Sequence, residues 1–349
     1  MNNYKTIGCM ILAFLLVVTG CSNNAENTAQ VDDKLISDPN KVFIGFLLDT
    51  LQEERWYKDK ELFEGEVDKL GGRVKTLAAN GLDDVQFKQA ELLIEEGVDV
   101  LVVVPHDAEV SAAIVDLAHE AGVKVISYDR LIKNAQVDYY VSFDNVKVGE
   151  LQAAEIVKNK SVGQFAYIGG AESDNNAVLF RQGAMNVLQP LIDNGDIRLV
   201  FDQYTDGWDP AIAEQNMVQA LKANGNQIDA VVAANDGTAG GVINALSTVG
   251  LAGKIPVSGQ DAELAGVQRV VEGTQTMTIY KSINQLAAQA AEMAVKVAKG
   301  EDIATDGAVN NGEVDVPSIL LAPIAVTKDN VRETVIKDGY LKEEEVYKK

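Results

Sequence analysis

Residues 83–104, DDVQFKQAELLIEEGVDVLVVV, join a helix pattern directly to a strand pattern. Asp83–Glu96 has helical spacing, begins on an acidic capping residue and ends before a glycine. Its apolar stripe consists of Val85, Leu92 and Leu93. Val100–Val104 is a continuous apolar run, which is typical of a strand buried on both faces of a parallel sheet. The stretch therefore predicts the helix and the following strand of a βαβ unit.

The same alternation extends along the chain in two series. The first series of predicted strands is Val42–Leu48, Val74–Ala78, Val100–Val104, Lys124–Tyr128 and Tyr139–Phe143. The second is Gln164–Ile168, Ile197–Tyr204, Asp229–Ala234, Ile255–Ser258 and Thr276–Tyr280. A chain of 349 residues exceeds one ordinary core. We expect an α/β protein with two similar lobes, each a doubly wound parallel sheet.

A faint internal repeat supports this duplication. Residues 97–105 and 227–235 share the order polar, apolar, Asp and then a buried strand. Beyond this second lobe, Asn284–Lys299 predicts a long helix, Val314–Val326 predicts extended chain, and the acidic stretch 342–345 predicts a solvated surface helix.

Composition excludes several classes of function. The chain has 30 Lys plus Arg against 52 Asp plus Glu, a net charge of −22 that repels nucleic acid. It has no phosphate-binding loop, no dinucleotide fingerprint and no nucleophile elbow, so we expect no nucleotide cofactor and no catalytic residues. Its two Cys and two His cannot form a Cys-rich zinc site, and His106 and His119 are more typical of ordinary surface or packed histidines. We expect a binding protein without metal, rather than an enzyme.

The N-terminal residues predict export from the cytoplasm and attachment to a membrane. Ile7–Val18 is an apolar run too short to span a membrane, and Thr19-Gly20-Cys21 resembles the lipobox of bacterial lipoproteins. We predict a signal peptide over residues 1–20, lipid such as palmitate on Cys21, and a flexible tether over residues 21–40. The domain is then extracytoplasmic and held on the cell membrane only through its lipid. An ordinary secretory signal with a chance cysteine is the alternative.

Polar side chains follow the predicted strands, at the sheet edge where open α/β sheets bind ligands. The candidate polar site residues are Arg55, Asp129, Arg130, Asp174, Asn176, Asn235, Asp261 and Lys281. Their acids and bases nearly cancel, which suits a neutral polyhydroxyl ligand. The two tryptophans, Trp56 and Trp208, are candidate faces for the C–H side of a sugar ring. Each Asp or Asn taken singly is more often a helix cap, and a tryptophan is more often core.

With these residues the chain resembles the periplasmic sugar-binding proteins of ABC transporters. The matching motifs are Glu54-Arg55-Trp56, Ala79-Asn80-Gly81, Tyr128-Asp129-Arg130, Ser142-Phe143-Asp144-Asn145, Asp174-Asn175-Asn176, Asp206-Gly207-Trp208, Gly259-Gln260-Asp261, residues 273–278 and residues 334–339. The resemblance implies the type I periplasmic binding protein fold, with three crossings near Lys147, Lys281 and Leu321. The N-terminal lobe is then 41–147 plus 282–321, and the C-terminal lobe 148–281 plus 322–349.

The resemblance also implies a function and assigns the ten residues above to ligand contact. The lobes close on a monosaccharide, with D-xylose the sugar it favours, and the closed form docks on an ABC permease. Glucose, arabinose or ribose would use the same kinds of contact. A sensing role, with docking on a chemoreceptor or histidine kinase, stays open. A sugar-responsive repressor is a further alternative, but it would need a DNA-binding helix-turn-helix where residues 1–40 predict a signal and a tether. A sugar hydrolase is another, and it would use the same carboxylates as a catalytic pair.

Overall fold

The computed structural model describes residues 41–348, which form an α/β fold with mostly parallel sheets. The strands are β1 Phe43–Leu48, β2 Arg73–Ala78, β3 Val100–Val103, β4 Lys124–Tyr128, β5 Tyr139–Phe143, β6 Gly163–Ile168, β7 Ile197–Gln203, β8 Ala230–Ala233, β9 Met277–Tyr280, β10 Gly307–Asn310, β11 Asp315–Leu321 and β12 Ile324–Thr327. The helices are α1 Glu54–Lys69, α2 Asp83–Glu95, α3 Ala112–Glu120, α4 Asn145–Asn159, α5 Asn175–Asp193, α6 Pro210–Ala223, α7 Asp236–Thr248, α8 Leu264–Glu272, α9 Ile283–Ala298 and α10 Glu343–Val346.

The first sheet has seven strands in the order β10-β11-β5-β4-β3-β1-β2. All its neighbours pair in parallel except β10 and β11, which are antiparallel. β1 and β3 are buried throughout, because helices cover both faces of the sheet. One face packs on α1 and α9 through residues such as Phe63, Leu286 and Ala290, and the other packs on α2 and α3.

The second sheet repeats the strand order of the first. β7, β6 and β8 pair in parallel in that order, as β2, β1 and β3 do in the first sheet. A single parallel bridge joins Val231 of β8 to Val257. β9 and β12 form a third, two-stranded antiparallel sheet. β3 and β8 thus hold equivalent places, as the internal repeat predicts. The predicted strand Ile255–Ser258 is wrong in extent, since only Val257 pairs as a strand residue.

The chain passes three times between the first sheet and the part of the fold that holds the second and third sheets. It runs from β5 into α4, which packs on α5, then from β9 through Lys281 and Ser282 into α9, and finally from β11 to β12. The region predicted to be extended, Val314–Val326, is therefore two strands in different sheets. The predicted division into two lobes stays a prediction.

Helix α2 differs in detail from its predicted form. Its buried residues are Gln86, Ala90 and Leu93, whereas Leu92 is 42% exposed. Its N-cap is Leu82 without a side-chain bond, and Asp83 is the first helical residue. The apolar stripe was misassigned because a buried glutamine occupies the place of an apolar residue on this face.

The N-terminal predictions, including lipid on Cys21, lie outside the described residues. Within residues 41–348, no helix has the length and apolar character required of a membrane span. The same stretch contains no cluster of three or more His, Cys, Asp or Glu side chains arranged to hold a metal ion.

Candidate functional site

All ten residues predicted for the site line one cleft. Arg55 and Trp56 begin helix α1, and Asp129 and Arg130 follow β4, so these four come from the side of the first sheet. Five residues come from the side of the second sheet, and Lys281 lies on the connection that follows β9. Those five are Asp174, Asn176, Trp208, Asn235 and Asp261. The unfilled space is about 290 Å³ including its mouth, near the lower end of the range for ligand pockets (~300–1,000 Å³).

Arg55 connects the two sides of the cleft. Its side chain is buried and donates from Nη2 to Asp129 at 2.9 Å and from Nη1 to Asp261 at 3.3 Å. Asp59, one helical turn after Arg55, accepts from Nε at 3.2 Å. Lys281 adds a second cation, with Nζ 3.2 Å from Asp261 and 3.7 Å from Asp129. Two acids from opposite sides therefore share two buried cations.

Arg130 forms a second link across the cleft. Its Nη1 donates to Asp49 at 2.6 Å on its own side, and its Nε lies 2.8 Å from Asp174 on the other side. Asp49 also lies 2.8 Å from Nδ1 of His106. The chain of contacts His106, Asp49, Arg130 and Asp174 thus runs from the half-buried rim into the cleft.

These charges shift the pKa of the acids in different directions. Burial alone would raise the pKa of Asp129, but the positive charges of Arg55 and Lys281 outweigh burial and hold this pKa below its usual value. Burial raises the pKa of Asp174 despite the charge of Arg130, and burial raises the pKa of Glu53 in the same cleft. The negative charge of the cleft is thus limited, and the three cations Arg55, Arg130 and Lys281 offset most of it.

Two site carboxylates extend from strained backbone. Asp129 has φ of 59° and Asp261 has φ of 88°, in the left-handed region that non-glycine residues seldom adopt. Hydrogen bonds hold both positions: the Asp129 carbonyl accepts from Ser142 and Tyr140, and the Asp261 amide donates to Ile279. Strain of this kind concentrates at binding sites, where the surrounding structure compensates for it.

Helix capping and site lining coincide at two residues. Asp174 caps α5 by accepting from the amide of Asn176, and Asn235 caps α7 in a reciprocal pair with Thr238. Asn176 donates to the Asp129 side chain at 3.1 Å across the cleft and accepts from Asn145 at 2.8 Å. A residue can therefore both cap a helix and line the cleft, because the capping atom is only part of its side chain.

The two tryptophans have different surroundings. Trp208 packs edge to face on Phe180, with ring centroids 6.4 Å apart, and a Cβ on Gly170 would lie 2.0 Å from its ring. The guanidinium groups of Arg55 and Arg130 lie 4.3 and 5.2 Å from the centroid of Trp56. Both indole N–H groups are buried and lack a hydrogen-bond acceptor within residues 41–348. They are available to donate a hydrogen bond to a ligand oxygen.

Sequence reasoning missed several residues of the cleft. Glu53, Phe180 and Gln260 also line it, and the Gln260 Oε1 is buried without a donor among the described residues. Phe180 lies one turn after Asn176, and Asp59 one turn after Arg55, so helical spacing carries a signal for both. Asp49 carries only the signal of ending a strand. His106 and His119 bond Asp49 and Asp138, in line with the expectation of ordinary histidines.

Comparisons with known proteins agree with this geometry. The family model for the periplasmic binding protein domain matches residues 44–302. A D-xylose-binding periplasmic protein of Escherichia coli is 51% identical over 306 residues, which are 88% of this chain and 93% of the relative. A protein of the same name from Haemophilus influenzae is 51% identical over 304 residues, covering 87% and 92%.

A solved structure gives the same assignment. A carbohydrate transporter solute-binding protein from Chloroflexus aurantiacus, in complex with D-glucose, superimposes with a TM-score of 0.81 at 34% identity. The match covers 87% of this chain and 98% of that one. These are binding proteins, so the expectation that the chain is not an enzyme is confirmed. The fold, the family model and the relatives agree that this chain belongs to the periplasmic binding protein family.

Proposed function

We propose that this protein captures D-xylose in the cleft and delivers it to an ABC permease. The observation that carries the proposal is the convergence of the ten residues, from both sheets, on one cleft with nearly balanced charge. A sugar hydroxyl both donates and accepts hydrogen bonds, so adjacent carboxylates, amides and cations can satisfy it fully. The printed names of the relatives that are 51% identical support xylose as the sugar.

The contacts available are strong enough for capture. A dissociation constant near 1 μM corresponds to about 8 kcal/mol. Hydrogen bonds to charged groups contribute ~1.5–3 kcal/mol each, before the costs of ordering and desolvation. A few such bonds from Asp129, Asp261, Arg55 and Lys281 therefore suffice.

We propose that binding is coupled to closure of two lobes, 41–147 plus 282–321 and 148–281 plus 322–349. The contacts from Arg130 to Asp174 and from Arg55 to Asp261 join residues on the two sides, so an open form would break both. A sugar bound between the sides would favour the closed form through its own contacts to each. Small-angle X-ray scattering with and without xylose should then show a smaller radius of gyration with sugar. An unchanged radius would contradict closure.

Lipid on Cys21 would hold the protein at the cell membrane. This part of the proposal rests on the small residues that precede Cys21 and the polar stretch that follows it. Expression with radiolabelled palmitate should label the wild-type protein and leave Cys21→Ala unlabelled and released from membranes. Equal labelling of both proteins would contradict the assignment of Cys21.

Isothermal titration calorimetry with a panel of monosaccharides tests the choice of sugar. We expect D-xylose to bind most tightly and Trp208→Ala to lose most of that affinity while staying folded. Glucose is the second candidate, because the Chloroflexus neighbour carries it. Tighter binding of glucose would replace xylose in the proposal, and no binding of any sugar would overturn it. Co-purification of the xylose-loaded protein with a membrane permease tests delivery.

A further inference from the structure

A wider space borders the xylose site and shares Arg130 and Trp208 with it. We call this space the outer cleft; its other walls include Asp49, Tyr57, Asn80, His106, Ser173 and Asp206. Its unfilled volume is about 1170 Å³ including its mouth, against about 290 Å³ for the inner cleft. The inner cleft thus suits a small ligand, and the outer cleft has room for a further group attached to it.

The lining of the outer cleft suits sugar hydroxyls. Asp49 and Asp206 offer carboxylate oxygens from opposite sides, and Asn80 and His106 offer donors and acceptors. Asp49 is held in place by its bonds to His106 and Arg130. The outer cleft thus has the same chemical types of group as the inner one.

An exposed aromatic ring lies in the wall. Tyr57 is 59% exposed and is the only aromatic among the large, exposed hydrophobic side chains of residues 41–348. A ring left in solvent beside a polar cleft can pack on the C–H face of a pyranose.

The backbone is strained on both walls. Asn80 has φ of 55° on one side and Trp208 has φ of 57° on the other, both in the left-handed region. Trp208 lines both clefts, and its buried indole N–H has no acceptor among the described residues. Strained backbone and a buried donor without an acceptor among the described residues are features of ligand-binding surfaces.

We propose that the outer cleft is a second sugar subsite, so that the protein takes a xylose disaccharide with one ring in each cleft. The inference rests on the proposed xylose site and extends its ligand class. One xylose ring occupies the inner cleft, and Tyr57 packs on the other ring in the outer cleft.

Titration calorimetry with D-xylose and with β-1,4-xylobiose tests the subsite. We expect the wild type to bind both sugars, and Tyr57→Ala to weaken xylobiose at least about fivefold while xylose changes less than about twofold. Tyr57→Phe keeps the ring and should keep most xylobiose affinity. Tyr347→Ala removes a partly buried tyrosine that lines neither cleft and is the matched control.

The outcomes separate this inference from the proposal beneath it. Binding of xylose without xylobiose overturns the subsite alone, as does an equal effect of Tyr57→Ala on both sugars. Failure of the wild type to bind either sugar overturns the xylose site and the subsite with it. Asp206→Asn, at an exposed position of the opposite wall, gives a second variant should Tyr57→Ala misfold, and it should also weaken xylobiose selectively.

Discussion

Asp261, like Asp129, contacts two cations of the cleft. Its Oδ1 lies 3.3 Å from Nη1 of Arg55 and 3.2 Å from Nζ of Lys281. The carboxylate comes from the side of the second sheet, whereas Arg55 comes from the first. Its charge therefore organises both cations around the ligand.

Asp261→Asn should reduce xylose affinity about 30-fold or more. The amide keeps the shape but removes the charge that positions Arg55 and Lys281, and one lost charge-assisted contact is worth about 2 kcal/mol. Calorimetry measures the affinity, and circular dichroism confirms folding. Asp84→Asn, a surface carboxylate whose side chain is 72% exposed, is the control and should change nothing. Unchanged affinity in Asp261→Asn would contradict the site.

His106 shares the carboxylate of Asp49 with Arg130, so we expect the charge of His106 to act on Arg130 indirectly. The hydrogen bond to Asp49 raises the pKa of His106 above its usual value, and the charge of Asp83 acts in the same direction while Arg130 opposes it. When His106 is protonated, we expect its positive charge to offset the negative charge of Asp49 and to weaken the attraction of Asp49 for Arg130. Arg130 then interacts more strongly with Asp174 and with the sugar. The carboxylate of Asp174, from the other side of the cleft, lies 2.8 Å from Nε of Arg130 and belongs to the same group of charges.

Xylose affinity should therefore be higher at pH 6 than at pH 8.5. The contribution of protonated His106 is complete below pH ~6.5 and is lost as the pH rises through its raised pKa. We expect a measurable difference in affinity between these two pH values, because the charge on His106 is present at the lower pH and absent at the higher one. His106→Gln should flatten this dependence, and His119→Gln should not. A pH profile that is the same in all three proteins would contradict the role of His106.

Among the elements, helix α2 positions the loop that carries His106. Gln86, buried on α2, donates to the carbonyl of Val104 at 2.8 Å and accepts from the amide of His106 at 3.1 Å. The hydroxyl of Ser111 lies 3.4 Å from the same oxygen. The Gln86 side chain thus provides hydrogen-bond partners for a backbone carbonyl and a backbone amide that lie beyond the end of β3.

Gln86→Leu should destabilise the protein by about 1–3 kcal/mol. Leucine has a similar size but leaves a buried carbonyl and a buried amide without partners. Urea unfolding measures the change, and Gln219→Leu, on the exposed face of α6, serves as the control. A loss no larger than that of the control would show that the loop is held by other contacts.

At the scale of the whole molecule, acids from both sides gather near Glu263. Burial first, and then the charges of Asp236, Asp261, Glu54 and Glu53, raise the pKa of Glu263 to about 8. Burial also raises the pKa of Asp236 to about 7. Glu53 and Glu54 lie at the start of α1 on the opposite side, so this repulsion acts across the cleft.

Stability should fall as the pH rises from about 4 to 8. The folded protein binds protons on these acids that the unfolded chain releases near pH ~4, so each rise in pH within this window favours unfolding. Glu263→Gln removes the charge and should raise the free energy of unfolding at pH 8.5 by about 1–2 kcal/mol, with little effect at pH 4. Thermal and urea unfolding at both values measure this. Equal effects at both values, or an equal gain in the control Glu61→Gln, would contradict it.

The sequence by itself determined the alternation of strands and helices and ten of the residues that line the cleft. Buried parallel strands require continuous apolar runs such as Val100–Val104, and ligand groups follow the carboxyl ends of such strands, so both patterns are local. Helix α2 shows the limit of periodicity, since its buried face includes Gln86. The strand at 255–258 reduces to one bridge because pairing depends on distant neighbours.

Only the tertiary structure decided which side chains pair. Asp49, 81 positions from Arg130, and Asp261, 206 positions from Arg55, meet their partners through sheet topology. No local pattern carries those distances, because the partners lie on different strands or opposite sides. The outer cleft is likewise a product of packing, formed where loops such as Asn80 and Asp206 face each other. Residue types follow from local chemistry, whereas their partners follow from how distant segments of the chain pack together.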